Sequence, residues 1–158
     1  MNTFFYTMLE DMHARGDYNF AKLQRILKRQ KFSLDTHDTL IIPVNVKQCH
    51  WFLLRVCFTT YCIQVVDSIL STEDQAALYA SVLDRFLSEL SGVSAWRVEV
   101  LESVPQQGNG YDCGLFACVN MELMSRSLPV RYEVEEEFSD DNRKRIAVEL
   151  MFGQLLTL

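Results

Sequence analysis

A chain of 158 residues, 49% of them hydrophobic, is long enough to bury one substantial core and too short for two. Its formal net charge of −6 and pI near 5.0 argue against the broad basic face that wrapping nucleic acid requires, so no nucleic-acid partner is expected. Five unevenly spaced cysteines argue against a disulfide framework, and the first residues carry neither basic leader nor long apolar run, so a soluble intracellular protein without membrane association is expected.

In chain order, Phe4, Phe5, Met8, Leu9 and Met12 recur at helical spacing up to Gly16, a C-cap residue, and Phe20, Leu23, Ile26 and Leu27 repeat the pattern in a second helix. Residues 39–46, 51–58 and 61–69 are rich in Val, Ile, Leu and aromatics and predict three strands, the second pair a hairpin turning at Thr59-Thr60. Thr72 with Gln75 forms a capping box ahead of an apolar stripe from Ala76 to Leu90 that stops near Gly92. Residues 96–100 alternate as a strand does, and 105–112 hold a proline, two glutamines and two glycines, which marks a loop of special geometry. Helix returns from Cys113 to Met124, Pro129 breaks it, and the acidic 133–141 leads into a last helix carrying Ile146, Val148, Leu150 and Met151. There are no repeats or linkers, and the element order predicts an α+β domain.

A nucleophilic thiol must ionise, and a helix N-terminus favours the thiolate because its unpaired N–H groups and dipole place positive charge there. Cys113 stands at such a start, within a turn shaped by Gly110, Asp112 and Gly114. A histidine in reach completes an ion pair, and a carboxylate on its other ring nitrogen fixes tautomer and orientation. His50 opens the second predicted strand and Asp67 ends the third; antiparallel strands joined by a short turn bring such outer ends side by side. Asp67 is also of the type that caps a turn. An oxyanion needs donors, and Gln107, six residues before Cys113, reaches that place together with the Cys113 backbone N–H.

Three separated motifs, His50-Trp51, Asp67-Ser68 and Gln107-Gly108-Asn109-Gly110-Tyr111-Asp112-Cys113-Gly114, resemble the signature of the ubiquitin-like-protein peptidases, the SUMO proteases and their deneddylase relatives. Phe4-Phe5-Tyr6 is similar to that family's first helix, Ile41-Ile42-Pro43-Val44 to its strand before the histidine, and 143–150 to its closing helix. The resemblance implies a papain-like cysteine proteinase fold: a small mixed sheet flanked by helices, with the nucleophile at a helix N-terminus and the triad in the order His50, Asp67, Cys113. It implies one catalytic domain over 1–158 that cleaves after the C-terminal diglycine of a ubiquitin-like protein, by isopeptidase or maturation action, without metal or cofactor.

SUMO is the favoured modifier. A deneddylase, or a non-catalytic module that binds a ubiquitin-like protein, is the alternative. Trp51 carries over as the aromatic lid over the diglycine. Gly114, read from the residues as serving backbone shape, joins it among the substrate-binding positions. The family's spacing selects Gln107 over Gln106 for the oxyanion, leaving Gln106 as a solvated loop residue and Asp112 as a turn former. A second tunnel tryptophan lies upstream of the family's first helix; this sequence starts almost inside that helix, so the segment bearing it is expected to be missing, and neither Trp51 nor Trp96 replaces it. The family points to the nucleus ahead of the cytoplasm, and a monomer is favoured.

The remaining reactive residues receive no chemistry. Cys49, His50, Cys57 and Cys62 lack the CxxC-like pairing of structural zinc sites, and Cys118 is expected to be buried on the nucleophile's helix. Lys22, Arg25, Lys28, Arg29 and Lys31 read as a solvated basic helix face, the acidic 133–141 as compensation for a helix dipole, and His13 and His37 as surface residues.

Overall fold

Residues 3–69 and 71–156 are described by the structure, a computed structural model. The first two helices form where the apolar spacing places them, α1 at Phe4–Arg15 and α2 at Phe20–Arg29. Asn19 caps α2 by accepting the Lys22 N–H at 3.0 Å. Then come β1 (Thr39–Val46), β2 (His50–Cys57), β3 (Cys62–Val66), α3 (Glu73–Ser91), β4 (Arg97–Val100), α4 (Cys113–Ser125) and α5 (Phe138–Phe152). The capping box at the head of α3 is formed in both directions: Thr72 Oγ1 accepts the Gln75 N–H, and Gln75 Oε1 accepts the Thr72 N–H. Gly92 ends that helix at φ 74°, the left-handed backbone that glycine adopts without penalty.

The four strands make one sheet in the order β1-β2-β3-β4. β2 pairs antiparallel with β1 and with β3, whereas β4 returns parallel to β3 after the α3 crossover, so the sheet is mixed. Strand side chains alternate between faces. On one face Ile42, Val44, Phe52, Leu54, Ile63 and Val65 pack with Phe5, Leu9, Leu23, Leu83 and Phe86 of the three N-terminal helices into the main core. On the other, Leu53 and Val66, directly opposite each other in the register, pack with Val104, Ala117 and Met124 under α4. A sheet covered by helices on both sides gives the α+β architecture expected.

Two strand ends and the buried face of the last helix stand out against the sequence reading. β2 begins at His50 rather than 51, in register with Val46. β3 stops at Val66 instead of running to 69, because the Asp67 carboxylate takes the Ile69 N–H at 3.0 Å and so competes with the strand ladder. α5 leaves Val148, Leu150 and Met151 exposed and buries Glu149, so ion pairs and the packing of Phe138 on Phe116 and Tyr132, rather than an apolar stripe, dock it. No helix among the described residues is long and apolar enough to cross a membrane.

Candidate active site

His50 and Asp67, at the ends of neighbouring strands, meet: His50 Nε2 lies 2.8 Å from Asp67 Oδ1. A carboxylate only accepts, so the shared proton sits on Nε2 and the neutral ring keeps Nδ1 as its free base. Asp67 is 7% exposed, and both its oxygens are engaged. Oδ1 also accepts the Ile69 N–H, and Oδ2 accepts the Ser71 hydroxyl at 2.7 Å. Three donors on a buried carboxylate fix its direction, and through it the imidazole plane. The ring also stacks on Phe52, two residues further along the same strand face, with centroids 6.1 Å apart.

Cys113 is the first residue of α4 and is buried, and the helix it starts packs on β2. Trp51 turns to the face opposite His50 and lies on Gly114: a Cβ built there meets Trp51 Cδ1 at 3.5 Å. His50, Trp51, Cys113 and Gly114 therefore share one corner, where the start of β2 meets the start of α4. Among the described residues no hydrogen bond joins Cys113 Sγ to His50. A groove of about 770 Å³ opens beside Trp51, lined also by Asn45, Lys47 and Gln48 and by Thr3, Phe4, Thr7 and Glu10.

Side chains rather than secondary structure hold the loop before Cys113. The Gln107 N–H donates to the Ser68 carbonyl, Gln107 Oε1 accepts the Ser68 hydroxyl at 2.7 Å, and Gln107 Nε2 donates to the Asn109 carbonyl at 2.6 Å. An amide nitrogen carries two protons, so one N–H of Gln107 is left to donate elsewhere. Gln106 is not merely solvated: its Nε2 donates to the carbonyls of Asp67 and Val104, tying the loop to the residue that orients His50.

Asp112 is also more than a turn former. It is 1% exposed, and its carboxylate accepts from Asn109 Nδ2 at 2.8 Å, from Ser139 Oγ and from Arg143 Nη2 of α5. Burial alone would raise its pKa, but the bonds from Ser139, Asn109 and Arg143 and the guanidinium charge outweigh it, so the carboxyl lies below its ordinary range. Further along, Arg145 bridges Glu122 of α4 at 2.6 Å and Glu149 at 2.8 Å, while Arg126 binds the other Glu122 oxygen and the Leu156 carbonyl. Sequence reading missed Ser71, Ser139, Arg143 and the Glu122 cluster. Only the four-residue step from Asp67 to Ser71 left a local signal.

The other sequence expectations fall as follows. Cys118 is exposed, contrary to expectation, because its position on α4 faces a groove shared with α5 rather than the core. All five thiols are free, and no His, Cys, Asp or Glu group among the described residues is arranged to hold a metal. His13 and His37 are at the surface, as are Lys22, Arg25, Lys28, Arg29 and Lys31.

A helix that opens on a cysteine, laid across a sheet whose central strands end in a histidine–aspartate pair, defines the papain-like class of cysteine proteinase folds. The chain belongs to the Ulp1 protease family, whose C-terminal catalytic domain matches residues 1–154. It is 32% identical over 142 residues to ubiquitin-like-specific protease 1A of Arabidopsis thaliana, covering 85% of this chain and 28% of that protein. It is also 32% identical over 139 residues to ubiquitin-like-specific protease 1 of Saccharomyces cerevisiae, covering 85% and 21%. The chain thus spans about a quarter of the length of the curated relatives it matches. Among solved structures, the C-terminal Ulp1 protease domain in complex with Smt3, the yeast orthologue of SUMO, superposes with a TM-score of 0.79 at 26% identity, over 96% of this chain and 66% of that one. The SUMO protease Ulp1 with its catalytic cysteine oxidised to a sulfonic acid gives 0.79 at 27%, over 97% and 68%.

Proposed function

We propose that this chain is the catalytic domain of a cysteine peptidase that cleaves after the C-terminal diglycine of a ubiquitin-like modifier, SUMO first among them. The observation that carries the reading is the Trp51–Gly114 contact, which sets the strand start bearing His50 against the helix start bearing Cys113. His50 Nδ1 takes the Cys113 proton while Asp67 holds Nε2–H, and the positive end of α4 stabilises the thiolate. The sulfur attacks the carbonyl carbon of the terminal glycine. The oxyanion is met by the Cys113 N–H and the uncommitted N–H of Gln107.

Collapse of that adduct breaks the C–N bond, and the imidazolium returns its proton to the leaving amine, a lysine or the first residue of a C-terminal tail. Water, deprotonated by Nδ1, then attacks the thioester, and the modifier leaves with a free carboxylate while the thiol is restored. No step calls on a metal or organic cofactor. Trp51 covers the diglycine, where any side chain on the substrate would collide with the indole. The reading makes residues 1–158 one catalytic domain and places its work inside the cell, in the nucleus ahead of the cytoplasm.

The test is incubation with SUMO carrying a C-terminal thiol-reactive warhead, beside ubiquitin and NEDD-type probes, with intact-mass readout of wild type and Cys113→Ala. An adduct with SUMO in wild type only supports nucleophile and modifier together. Labelling by the NEDD-type probe alone turns the assignment to a deneddylase, and no adduct from a folded sample that still binds SUMO turns it to a binding module.

A further inference from the structure

A buried carboxylate immediately before a thiolate is an electrostatic obstacle. Consecutive Cα atoms stand about 3.8 Å apart, and a negative charge at the head of α4 opposes the field that makes the helix start useful to Cys113. The chain nevertheless buries Asp112 there, and its side chain gives α4 no cap hydrogen bond. Its oxygens turn instead to Asn109, Ser139 and Arg143. Of these only Arg143 brings a compensating charge, from a side chain 52% exposed on the closing helix.

We propose that Arg143 is a positioning residue for the nucleophile: paired with Asp112, it masks that carboxylate from Cys113 and locks the 109–112 turn that sets where the sulfur points. The inference rests on the reading of Cys113 as nucleophile. The charged and titratable groups on the elements that meet at this corner are the His50–Asp67 pair from β2 and the end of β3 and the Asp112–Arg143 pair from the turn before α4 and from α5. The nearest acid on α4 itself, Glu122, is neutralised by Arg126 and Arg145.

Without Arg143, Asp112 keeps its bonds from Ser139 and Asn109 and stays ionised through the neutral range. Replacing the guanidinium by a neutral amide removes its charge from the field at the sulfur and leaves that of Asp112 unopposed, which disfavours the thiolate. Solvent reaching the half-exposed site reduces this, so a shift of about one unit is expected.

The experiment is the pH dependence of Cys113 alkylation by iodoacetamide, followed by peptide mass mapping so that the other four thiols do not interfere. It is run on wild type, Arg143→Gln, Arg143→Lys and the Arg143→Gln/Asp112→Asn double variant, each shown to be folded by circular dichroism. Arg143→Gln should move the alkylation midpoint up by about one unit and lower kcat on the SUMO substrate about tenfold with KM little changed. Arg143→Lys should restore most of the midpoint, and the double variant should return it to the wild-type value. An unmoved midpoint in folded Arg143→Gln, or one that the double variant fails to restore, overturns charge masking. A wild-type midpoint at the ordinary thiol value overturns the premise instead, because Cys113 is then not an activated nucleophile.

Discussion

Replacing Asp67 separates what its charge does from what its shape does. In Asp67→Asn the new side chain has the same shape. Its carbonyl can take the Oδ1 position, still accepting from His50 Nε2 and the Ile69 N–H, and its amide can donate to Ser71, whose hydroxyl then reverses its role. The second amide proton and the Ser71 O–H lose their acceptors at this buried site, so Asp67→Asn should unfold some degrees below wild type. What is lost is the anion facing the imidazolium. A charged hydrogen bond contributes about 1.5–3 kcal/mol and a neutral one about 0.5–1.5, so the ion pair loses about 1–2 kcal/mol, or roughly 5- to 30-fold in the population of charged nucleophile.

Asp67→Ala is different in kind. It strands the Ser71 hydroxyl and the Ile69 N–H, at about 1–3 kcal/mol for each buried group, and frees the ring to rotate. The expected result is a Tm lowered by roughly 4–24 °C and kcat/KM down by more than about 100-fold. Steady-state release of a fluorophore amide from SUMO, alongside thermal melts, reads both. An Asp67→Asn variant with kcat/KM within twofold of wild type would refute an orienting carboxylate, and an Asp67→Ala variant as stable as wild type would refute the three-donor account of its burial.

Further expectations concern the helix starts and the buried charges. Gly114 has no left-handed φ and its Cβ position is in ordinary contact with Trp51, so Gly114→Ala should fold and gain about 0.5–1 kcal/mol, whereas Gly114→Leu should displace the indole, raise KM about tenfold or more and alter tryptophan emission. Arg145→Ala removes the counter-ion of Glu149, 7% exposed, and leaves Glu122, 8% exposed, with Arg126 alone; removing one member of such a buried pair costs about 3–5 kcal/mol, so Tm should drop by roughly 6–20 °C, and activity per folded molecule should fall as α4 loses one of its anchors. The Asp112 carboxyl, held below its ordinary value in the folded chain, contributes stability that is fully present above the unfolded pKa near 3.9 and is lost as pH falls through the lower folded one. Urea midpoints taken from about pH 5.5 downward should therefore fall more steeply in wild type than in Asp112→Asn, and equal slopes would deny that Asp112 is held ionised.

Local pattern carried much of the architecture because each element announces itself over a few residues. The box at Thr72 and Gln75, the stripe from Ala76 to Leu87 and the run 39–46 need no tertiary information, and β1 and α3 occur where they predict. The hairpin made the His50–Asp67 meeting legible as well, since antiparallel geometry converts two strand ends into neighbours. What escaped was every contact made by a side chain across the fold: Ser139 and Arg143 reach Asp112 over 27 and 31 positions, and Arg145 reaches Glu122 over 23. Periodicity has nothing to say at those separations. The misread face of α5 has the same origin, because the buried side chain of that helix is an acid whose partners lie within the helix and in the returning tail, so Glu149 looks exposed and Leu150 looks buried until the chain has closed on itself.

These long-range pairs share a logic. On the proposed function, each carboxylate near α4 would, left alone, oppose the task of the helix: Asp112 would repel a thiolate at Cys113, and buried Glu122 would carry an uncompensated desolvation cost. Arginines from α5 and the end of α4 answer both, Arg143 at the first and Arg145 with Arg126 at the second. With Cys113 as the proposed nucleophile, the closing helix would bear on it without approaching it, by fixing the charge and register of the helix on which Cys113 stands. A peptidase site assembled from the ends of β2, β3 and α4 has little covalent continuity to hold its reacting atoms in line, and a misplacement of about 1 Å can cost about 100-fold in rate. On the proposed function, clamping α4 at two points along its length, rather than adding donors at the sulfur, would keep the site open to an incoming diglycine while denying the sulfur freedom to turn away.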